Sequence, residues 1–546
     1  MSDFFNTATY VALRAKETPS QVAVIMPEKH NGIGKRTYSH MTFSQLDTMC
    51  DSYAAQFMAQ GIRPGMRVLS MVRQGLELVG ITFALFKIGA IPVLIDPGMG
   101  IKSFTNCVAH CEPDAMVGIP VAHLVRVVFR GKFKSIKKNF ITEPKWWSSA
   151  KAIHADFAPI EEELCPILET KGGDLAAILF TSGSTGPPKG VHYTHNIFRG
   201  QTEAIQSMYN IKAGEIAVPG FPLFAIFSVA MGMTCAIPDM DPKAPAKVDP
   251  KNIVEIIRDF GADMAFGSPT IFSKVVDYCL AEEITLPSLS RILTFGAAIH
   301  PTLMQKYEIV MPNGVVHTPY GATESLPVAS IDSKKVLSET AAASESGAGI
   351  CVGKPVHTTE VKIIEISDDA IASMSDTKIM GVGEIGEICA SGPTVTPAYD
   401  KHPEHNRMSK IKDTNQKSGF WHRMGDVGYL DEEGQLWFCG RKGHRVIGSQ
   451  ETFFTVPAEA IFNAHDNVKR SALIGLGQVG SQRPAIVIEP KEGCDLDRLK
   501  SDLLEMAKKN AKTSEIEEVF FHDDFPVDKR HNAKIHREEL AAYFSK

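Results

Sequence analysis

The chain has no Cys-x-x-Cys pair. Its ten cysteines are scattered at positions 50, 107, 111, 165, 235, 279, 351, 389, 439 and 494. Cys107 and Cys111 stand four apart, but no second ligand pair completes a zinc site. Dispersed thiols of this kind fit a reducing cytoplasm, the expected location. No uninterrupted apolar run approaches the 18 residues of a membrane helix, so no membrane span is expected. The nearest, residues 221–238, carries prolines at both ends and reads as buried core or pocket lining. The opening Met-Ser-Asp-Phe-Phe-Asn-Thr-Ala-Thr-Tyr has no basic segment ahead of an apolar core, so no secretory signal is expected. There is no global basic excess either: 57 Lys and Arg face 63 Asp and Glu, a net charge of −6. That balance argues against a nucleic-acid partner. The local run Lys132 to Lys138 reads more readily as a solvated face than as a binding patch. Internal repeats are absent.

What is present is a long soluble chain. Its 546 residues exceed one ordinary core, so two or more domains are expected. Apolar content of 44% and charged content of 22% fit a globular protein. Residues 42–97 alternate helix and strand patterns. Thr42-Phe43-Ser44-Gln45 reads as a capping box for a helix ending near Gly61. Residues 68–72 and 91–95 read as strands, with a helix over 76–88 stopped by Gly89. This is βαβ logic and implies a parallel sheet, hence an α/β fold. The style recurs in a helix near 250–260 and strands at 263–266 and 291–295. Residues 332–350 and 366–380, rich in Ser, Ala, Asp and Gly, read as loops. From about 384 short strands with Gly turns take over, such as 386–390. A boundary is expected at 440–443, dividing 1–440 from a small α+β unit at 441–546. In that unit 471–476, 485–489 and 517–521 read as strands, and 496–509 and 536–544 as helices.

Within this frame one loop stands out. After the β-like run Ala176-Ala177-Ile178-Leu179-Phe180 comes Thr181-Ser182-Gly183-Ser184-Thr185-Gly186-Pro187-Pro188-Lys189-Gly190. Hydroxyls donate hydrogen bonds, glycines let backbone N–H groups come close, and Lys189 adds a point charge suited to phosphate. The common P-loop is excluded, because no Ser or Thr follows Lys189. A strand before the loop and a helical pattern over 194–208 favour a polyphosphate loop over a plain surface loop.

Other islands are ambiguous one by one. His317-Thr318-Pro319-Tyr320-Gly321-Ala322-Thr323-Glu324 offers a ring to stack on a purine and a carboxylate for Mg²⁺, which takes one or two carboxylates plus phosphate oxygens. It also reads as an ordinary turn. Phe295-Gly296-Ala297-Ala298 ends a strand with small residues, which suits a flat ligand or close packing equally. Gly425-Asp426 opens a strand; the aspartate could accept from ribose hydroxyls or simply cap a turn. Lys534, alone near the C-terminus, reads as a solvated charge.

Taken together, the order and spacing of these islands resemble the acyl-adenylate-forming superfamily of acyl-CoA synthetases, luciferases and peptide-synthetase adenylation domains, over essentially the whole chain. The resemblance implies a large multi-sheet N-terminal domain binding ATP and acyl substrate, and a small mobile C-terminal domain. It implies that the 181–190 loop cradles phosphate and that Tyr320 borders adenine. Glu324 would ligate Mg²⁺, Asp426 and Arg441 would contact ribose, and Lys534 would be the catalytic lysine, with Ala533 in place of the usual glycine. Gly443 falls at the hinge, where Asp or Lys is usual.

After the hinge, CoA ligases continue with an Ile-Lys pair and a glycine lining the pantetheine tunnel. This chain reads Arg445-Val446-Ile447-Gly448-Ser449-Gln450-Glu451-Thr452-Phe453-Phe454, without the lysine. Residues 221–225, 237–241, 266–269 and 530–535 resemble a narrower group, the β-lactone synthetases of bacterial long-chain olefin biosynthesis. That resemblance implies a 2-alkyl-3-hydroxy long-chain fatty acid as substrate. Its own β-hydroxyl would attack the adenylate, and neighbouring enzymes would include a lactone decarboxylase. Phe221, Phe224 and Gly267 are then candidates for the acyl tunnel or for ordinary core. His192 and His195 are candidate bases for the hydroxyl by location only, or structural histidines. The alternatives are a long-chain acyl-CoA or acyl-AMP ligase, and a non-catalytic nucleotide-binding protein of the same fold.

Overall fold

The computed structural model describes residues 4–32, 34–145, 148–158, 165–180, 187–297, 299–527 and 534–545. Thr181 to Gly186, Ala298 and residues 528–533 therefore lie outside the described residues. Four groups of strands organise the rest.

The seven-stranded sheet runs in the order Lys151–Ala152, Lys138–Ile141, Ala115–Gly118, Arg67–Met71, Ile91–Leu94, Leu175–Phe180, Gly190–Thr194. All pairs are parallel except the last, where 190–194 folds back antiparallel on 175–180. The expected capping box is formed: Thr42 and Gln45 exchange side-chain and backbone bonds ahead of the helix Phe43–Ala59. Helix Leu76–Lys87 is buried from Leu78 onward, as its nearly uninterrupted apolar sequence requires. It lies in a core that joins residues of this sheet (Val68, Ala115, Ala177) to residues of the next (Ala217, Phe266, Leu293).

The second sheet has fourteen strands. Its parallel part runs Val22–His30, Thr234–Ala236, Ile216–Pro219, Met264–Gly267, Arg291–Thr294 and Val315–Ala322. A hairpin then turns the chain into Ser325–Asp332, and antiparallel strands follow. Gly321 is obligatory at that hairpin, since a Cβ there would lie 2.5 Å from the Ser325 carbonyl oxygen. The C-terminal strands Val468–Leu476, Arg483–Pro490 and Glu518–Phe521 form their own three-stranded sheet. Two apolar clusters, drawn only from residues 446–544, cover it. All ten cysteines are free thiols, nine of them buried.

Two expectations need correcting, and one helix was not anticipated. Residues 333–348 are helical, in α- and π-type turns from Ser333 to Ala348. Their Ala- and Ser-rich composition resembles a loop, but helix Thr455–Asn463 packs against them. That second helix is the unanticipated one. Pro457 lies in its first turn, where Pro is tolerated. Asp426 is not at a strand start but inside Phe420–Leu430, after Gly425 at φ +68°. The run 221–238 breaks into helix Pro222–Ala230 and strand Thr234–Ala236. Among the described residues no helix is long and apolar enough to cross a membrane.

Candidate active site

The parallel strands of the second sheet deliver their C-terminal ends to one edge, where ligands bind in open α/β sheets. Pro219 leads to Phe221, Gly267 follows Phe266, Thr294 leads to Phe295 and Gly296, and Ala322 leads to Thr323 and Glu324. The rings of Phe221, Phe224, Phe266 and Phe295 gather there. Phe224 lies 4.4 Å from Phe295 and 5.1 Å from Phe266, and Phe221 5.5 Å from Phe295, between ring centres. Phe224 and Phe266 are buried, whereas Phe221 and Phe295 are half-exposed and form the accessible side of an apolar wall. Gly296 is exposed at φ +95° with open space where a Cβ would be; Ala297 is half-buried beside it. Gly267 has a packing role: a Cβ there would meet the Phe272 ring at 2.8 Å.

Glu324 sits just beyond Ala322, held by its backbone. The Thr396 N–H and hydroxyl both donate to the Glu324 carbonyl, at 2.8 and 3.1 Å. The Tyr193 hydroxyl donates to the Thr323 carbonyl at 2.7 Å. The Tyr399 hydroxyl donates to Glu324 Oε1 at 2.8 Å. Oε2 takes no hydrogen bond among the described residues. A half-exposed carboxylate with one oxygen fixed and one open fits Mg²⁺, whose remaining ligands would be phosphate oxygens. No cluster of three protein ligands exists among the described residues, so the ion would depend on the nucleotide to complete its shell.

Tyr399 also carries Lys189, whose ammonium lies 5.5 Å from the ring centre. One side chain thus links Lys189 to Glu324. The segment is positioned by the phosphate strand itself: His192 N–H donates to the Ala398 carbonyl and Asp400 N–H to the Gly190 carbonyl.

On the opposite flank, Asp426 and Arg441 are cross-strand partners. Arg441 Nη1 donates to Asp426 Oδ1 at 2.8 Å, and the Tyr320 hydroxyl to Oδ2 at 2.7 Å. Burial holds the Asp426 carboxyl above its ordinary range, against the pull of Arg441 and Tyr320. Burial and Asp426 together push the Tyr320 phenol well up. Each Asp426 oxygen retains a lone pair, so the carboxylate can still accept from ribose hydroxyls. The charge of Glu324 reaches Asp426, Arg441 and Tyr193. Lys189, Tyr320, Glu324, Asp426 and Arg441, far apart in sequence, are therefore neighbours.

The two histidines are not brought to Glu324. On strand Gly190–Thr194 successive side chains face opposite ways. Tyr193 points to Thr323, so His192 points to the other face of the sheet, where its Nε2 donates to Asp400 Oδ1 at 2.9 Å. His195 is buried, with Nδ1 facing the Thr7 hydroxyl at 2.8 Å, and burial lowers its pKa to about 4. Each is held by a hydrogen bond away from Glu324, His192 to Asp400 and His195 to Thr7. Alternation along the strand carried this signal already. Tyr399, Thr396 and Tyr193 had no motif to announce them.

Lys534 is half-buried, one residue before the isolated bridge between Val527 and Ile535. The helix after it, Arg537–Phe544, is anchored by Arg537, which grips Glu459 with two nitrogens. Glu538 in that helix faces His444 at 3.5 Å. Gly443 lies between His444 and Lys442, which pairs with Glu387 at 3.1 Å. A Cβ at Gly443 would meet nothing within 4 Å.

The model of the AMP-binding enzyme family matches residues 11–400. Two curated relatives span the chain, both named olefin beta-lactone synthetase. That of Stenotrophomonas maltophilia is 39% identical, covering 99% of this chain and 98% of the relative. That of Xanthomonas campestris is 38% identical, covering 100% and 98%. Among solved structures, the amide bond synthetase McbA of Marinactinospora thermotolerans superposes with a TM-score of 0.77 at 20% identity, covering 98% of this chain and 99% of that one. The o-succinylbenzoate coenzyme A synthetase of Bacillus subtilis, solved with ATP and magnesium ion, gives 0.73 at 19% identity, covering 97% and 98%. These structures establish a shared fold. The chain belongs to the AMP-binding enzyme family, and it is an ATP-dependent acyl-adenylating ligase.

Proposed function

We propose that this ligase activates a 2-alkyl-3-hydroxy long-chain fatty acid as its acyl-AMP and then closes a β-lactone. The observation that carries the reading is likeness to two olefin beta-lactone synthetases along the full length of the chain. The aromatic wall of Phe221, Phe224, Phe266 and Phe295 supports it by offering alkyl chains an apolar surface. The segment after Gly443 supports it too. Val446–Ile447 and Thr452–Phe453 form a tight hairpin, closed by Gly448 N–H donating to the Glu451 carbonyl at 2.9 Å, and no lysine stands in it.

In the first step the substrate carboxylate attacks the α-phosphorus of ATP and pyrophosphate leaves. Lys189 and the 181–190 loop hold the leaving phosphates, Asp426 and Arg441 fix the ribose, and Tyr320 borders the base. Glu324 would hold Mg²⁺, which when bound offsets charge on the phosphates. Lys534 stabilises the negative charge that develops on the α-phosphoryl oxygens. In the second step the substrate's own hydroxyl attacks the acyl carbonyl, a four-membered ring closes, and AMP departs. Nucleophile and electrophile share one bound molecule, so no second encounter is needed. We place the boundary between residues 1–440 and 441–546, with Gly443 as the pivot of the smaller unit. The product would pass to a decarboxylating enzyme of olefin biosynthesis in the cytoplasm.

The deciding experiment incubates the enzyme with ATP, Mg²⁺ and a 2-alkyl-3-hydroxy acid, with and without CoA. A CoA-independent product one water lighter than the acid is expected. A thioester formed only with CoA would replace the reading with an acyl-CoA ligase. Accumulated acyl-AMP would replace it with an acyl-AMP ligase.

A further inference from the structure

The most apolar helices of the described residues, Leu76–Lys87 and Pro222–Ala230, are covered, whereas Pro120–Val128 leaves an apolar stripe exposed. Leu76–Lys87 lies between the two large sheets, as such a helix should. Pro120–Val128, with the sequence Pro-Val-Ala-His-Leu-Val-Arg-Val-Val, buries only Ala122 and His123. His123 is tied to the Phe140 carbonyl at 2.8 Å. On the other side Val121, Leu124, Val127 and Val128 are each between 54% and 65% exposed, and Phe129 follows at 37%. Positions 121, 124 and 128 fall on one stripe of the helix.

The charges around this stripe are predominantly basic, with one exposed carboxylate, Glu112, beside Val128, Phe129, Arg130 and Lys134. From Ile119 to Ile141 there are six Lys and Arg residues and no Asp or Glu. Arg130, Lys132, Lys134 and Lys137 are exposed. The ammonium groups of Lys132, Lys137 and Lys138 meet only neutral oxygens, of Asn106, Lys134 and Gln60. Glu112 pairs with Lys401 at 2.5 Å and also feels the charge of Lys134, and Asp114 accepts from the Arg67 N–H at 2.8 Å.

We infer that this helix and the basic turn after it dock the protein reversibly on an anionic lipid surface. A nine-residue helix is only about 14 Å long. Its stripe is therefore small beside the roughly 800 Å² that each partner gives to a stable protein interface. A lipid surface asks less. Apolar side chains enter the headgroup boundary by about 5–10 Å, and each Lys or Arg near an anionic leaflet raises partitioning about fivefold. The helix joins strands Ala115–Gly118 and Lys138–Ile141, on the far side of the sheet from the strand Leu175–Phe180 that feeds the phosphate loop. Docking through it leaves the Glu324 edge open.

The test is co-sedimentation of the full chain with vesicles of phosphatidylglycerol and phosphatidylethanolamine, against vesicles of phosphatidylcholine. Binding to the anionic vesicles alone is expected, weakening as salt rises. Leu124→Glu with Val128→Glu should lower it at least about tenfold, while acyl-AMP formation on a water-soluble acid stays unchanged. Arg130→Gln with Lys132→Gln, at exposed positions that cannot unfold the chain, should lower it about 25-fold. Equal binding to both vesicle types, no binding, or binding indifferent to both variants would overturn the inference. So would a dimer in light scattering that Leu124→Glu with Val128→Glu returns to monomer, which would assign the stripe to a second copy.

Discussion

Tyr399 and Asp400 are adjacent in the chain, yet they serve two carboxylate sites built in opposite ways. Asp400 is buried and saturated. Arg67 donates to both of its oxygens, at 2.8 and 3.0 Å, and His192 donates to one at 2.9 Å. Its carbonyl takes a fourth bond from His110. Glu324, reached by Tyr399 on the other face of the phosphate strand, is half-exposed. It receives one neutral hydroxyl and pairs with no cation among the described residues. A carboxylate that the protein satisfies completely has nothing left for a ligand. One whose second oxygen is open is poised for what the protein does not itself supply. The contrast separates a clamp that holds strand Gly190–Thr194 to segment 398–400 from a carboxylate left open to a ligand.

The sharpest way to break this contrast is to neutralise each carboxylate in turn. Glu324→Gln should lower ATP–pyrophosphate exchange by roughly 10²–10³-fold, the scale of losing one preorganised electrostatic partner. Its urea midpoint should fall only slightly, through loss of the favourable field of Glu324 on Lys410. Asp400→Asn should do the reverse. Removing the charge of a buried pair leaves Arg67 uncompensated, and about 3 kcal/mol of stability should go. The folded fraction should keep its exchange rate. If Asp400→Asn abolishes exchange while melting normally, Asp400 belongs to the chemistry and the two sites are not of different kinds.

The clamp also has a pH signature. Burial alone would raise the Asp400 carboxyl, but the His192 and Arg67 bonds outweigh it and hold the group below its ordinary range. A depressed carboxyl contributes stability above its unfolded pKa of about 3.9, and that contribution is lost as pH falls through the lower folded value. The difference in urea midpoint between parent and Asp400→Asn should therefore be constant above about pH 5 and shrink below pH 4. A difference that persists undiminished into strong acid would show that packing, and not charge, holds the segment.

A smaller effect is expected from Tyr399→Phe. The ring stays beneath Lys189, and only the hydroxyl on Glu324 is lost. A hydrogen bond to a charged group contributes about 1.5–3 kcal/mol, so exchange should fall about tenfold. The Mg²⁺ concentration for half-maximal rate should rise. A rate change with no change in Mg²⁺ dependence would detach Tyr399 from the metal.

The same comparison shows what the chain displays in one dimension. The capping box at Thr42, the helix at 250–260 and the strand–helix alternation were legible because they depend on neighbours at fixed spacing. Lys189, Glu324, Asp426 and Arg441 could be singled out because each stands in a stretch that resembles a family motif, and the fold sets them near one another. Tyr399 could not. Its function arises from pairing with strand Gly190–Thr194, some two hundred residues earlier, and an isolated tyrosine in Thr-Pro-Ala-Tyr-Asp says nothing of that. The placement of His192 was hidden for a related reason. Closeness to the phosphate loop in sequence says nothing of which face of the strand a side chain takes, and its neighbour Tyr193 took the inner one. The helical turns at 333–348 were hidden by small residues that form helix or loop according to what packs on them.

The finest test uses Lys410, on the Glu324 side. Its ammonium donates to the Thr396 carbonyl, whose N–H and hydroxyl hold Glu324, and lies 5.0 Å from the Phe420 ring centre. Burial lowers its pKa to about 7, with the Glu324 charge opposing the shift. Below about pH 7 both folded and unfolded chains hold this proton. Between about 7 and the unfolded value near 10.4 the native state binds fewer protons, so stability should rise with pH across that window. Lys410→Met should flatten the rise in urea midpoint. In Glu324→Gln the opposing charge is gone, so the rise should begin at a lower pH than in the parent. If it begins at the same pH, the open oxygen of Glu324 exerts no field on the wall behind it, and the two carboxylates differ only in what touches them.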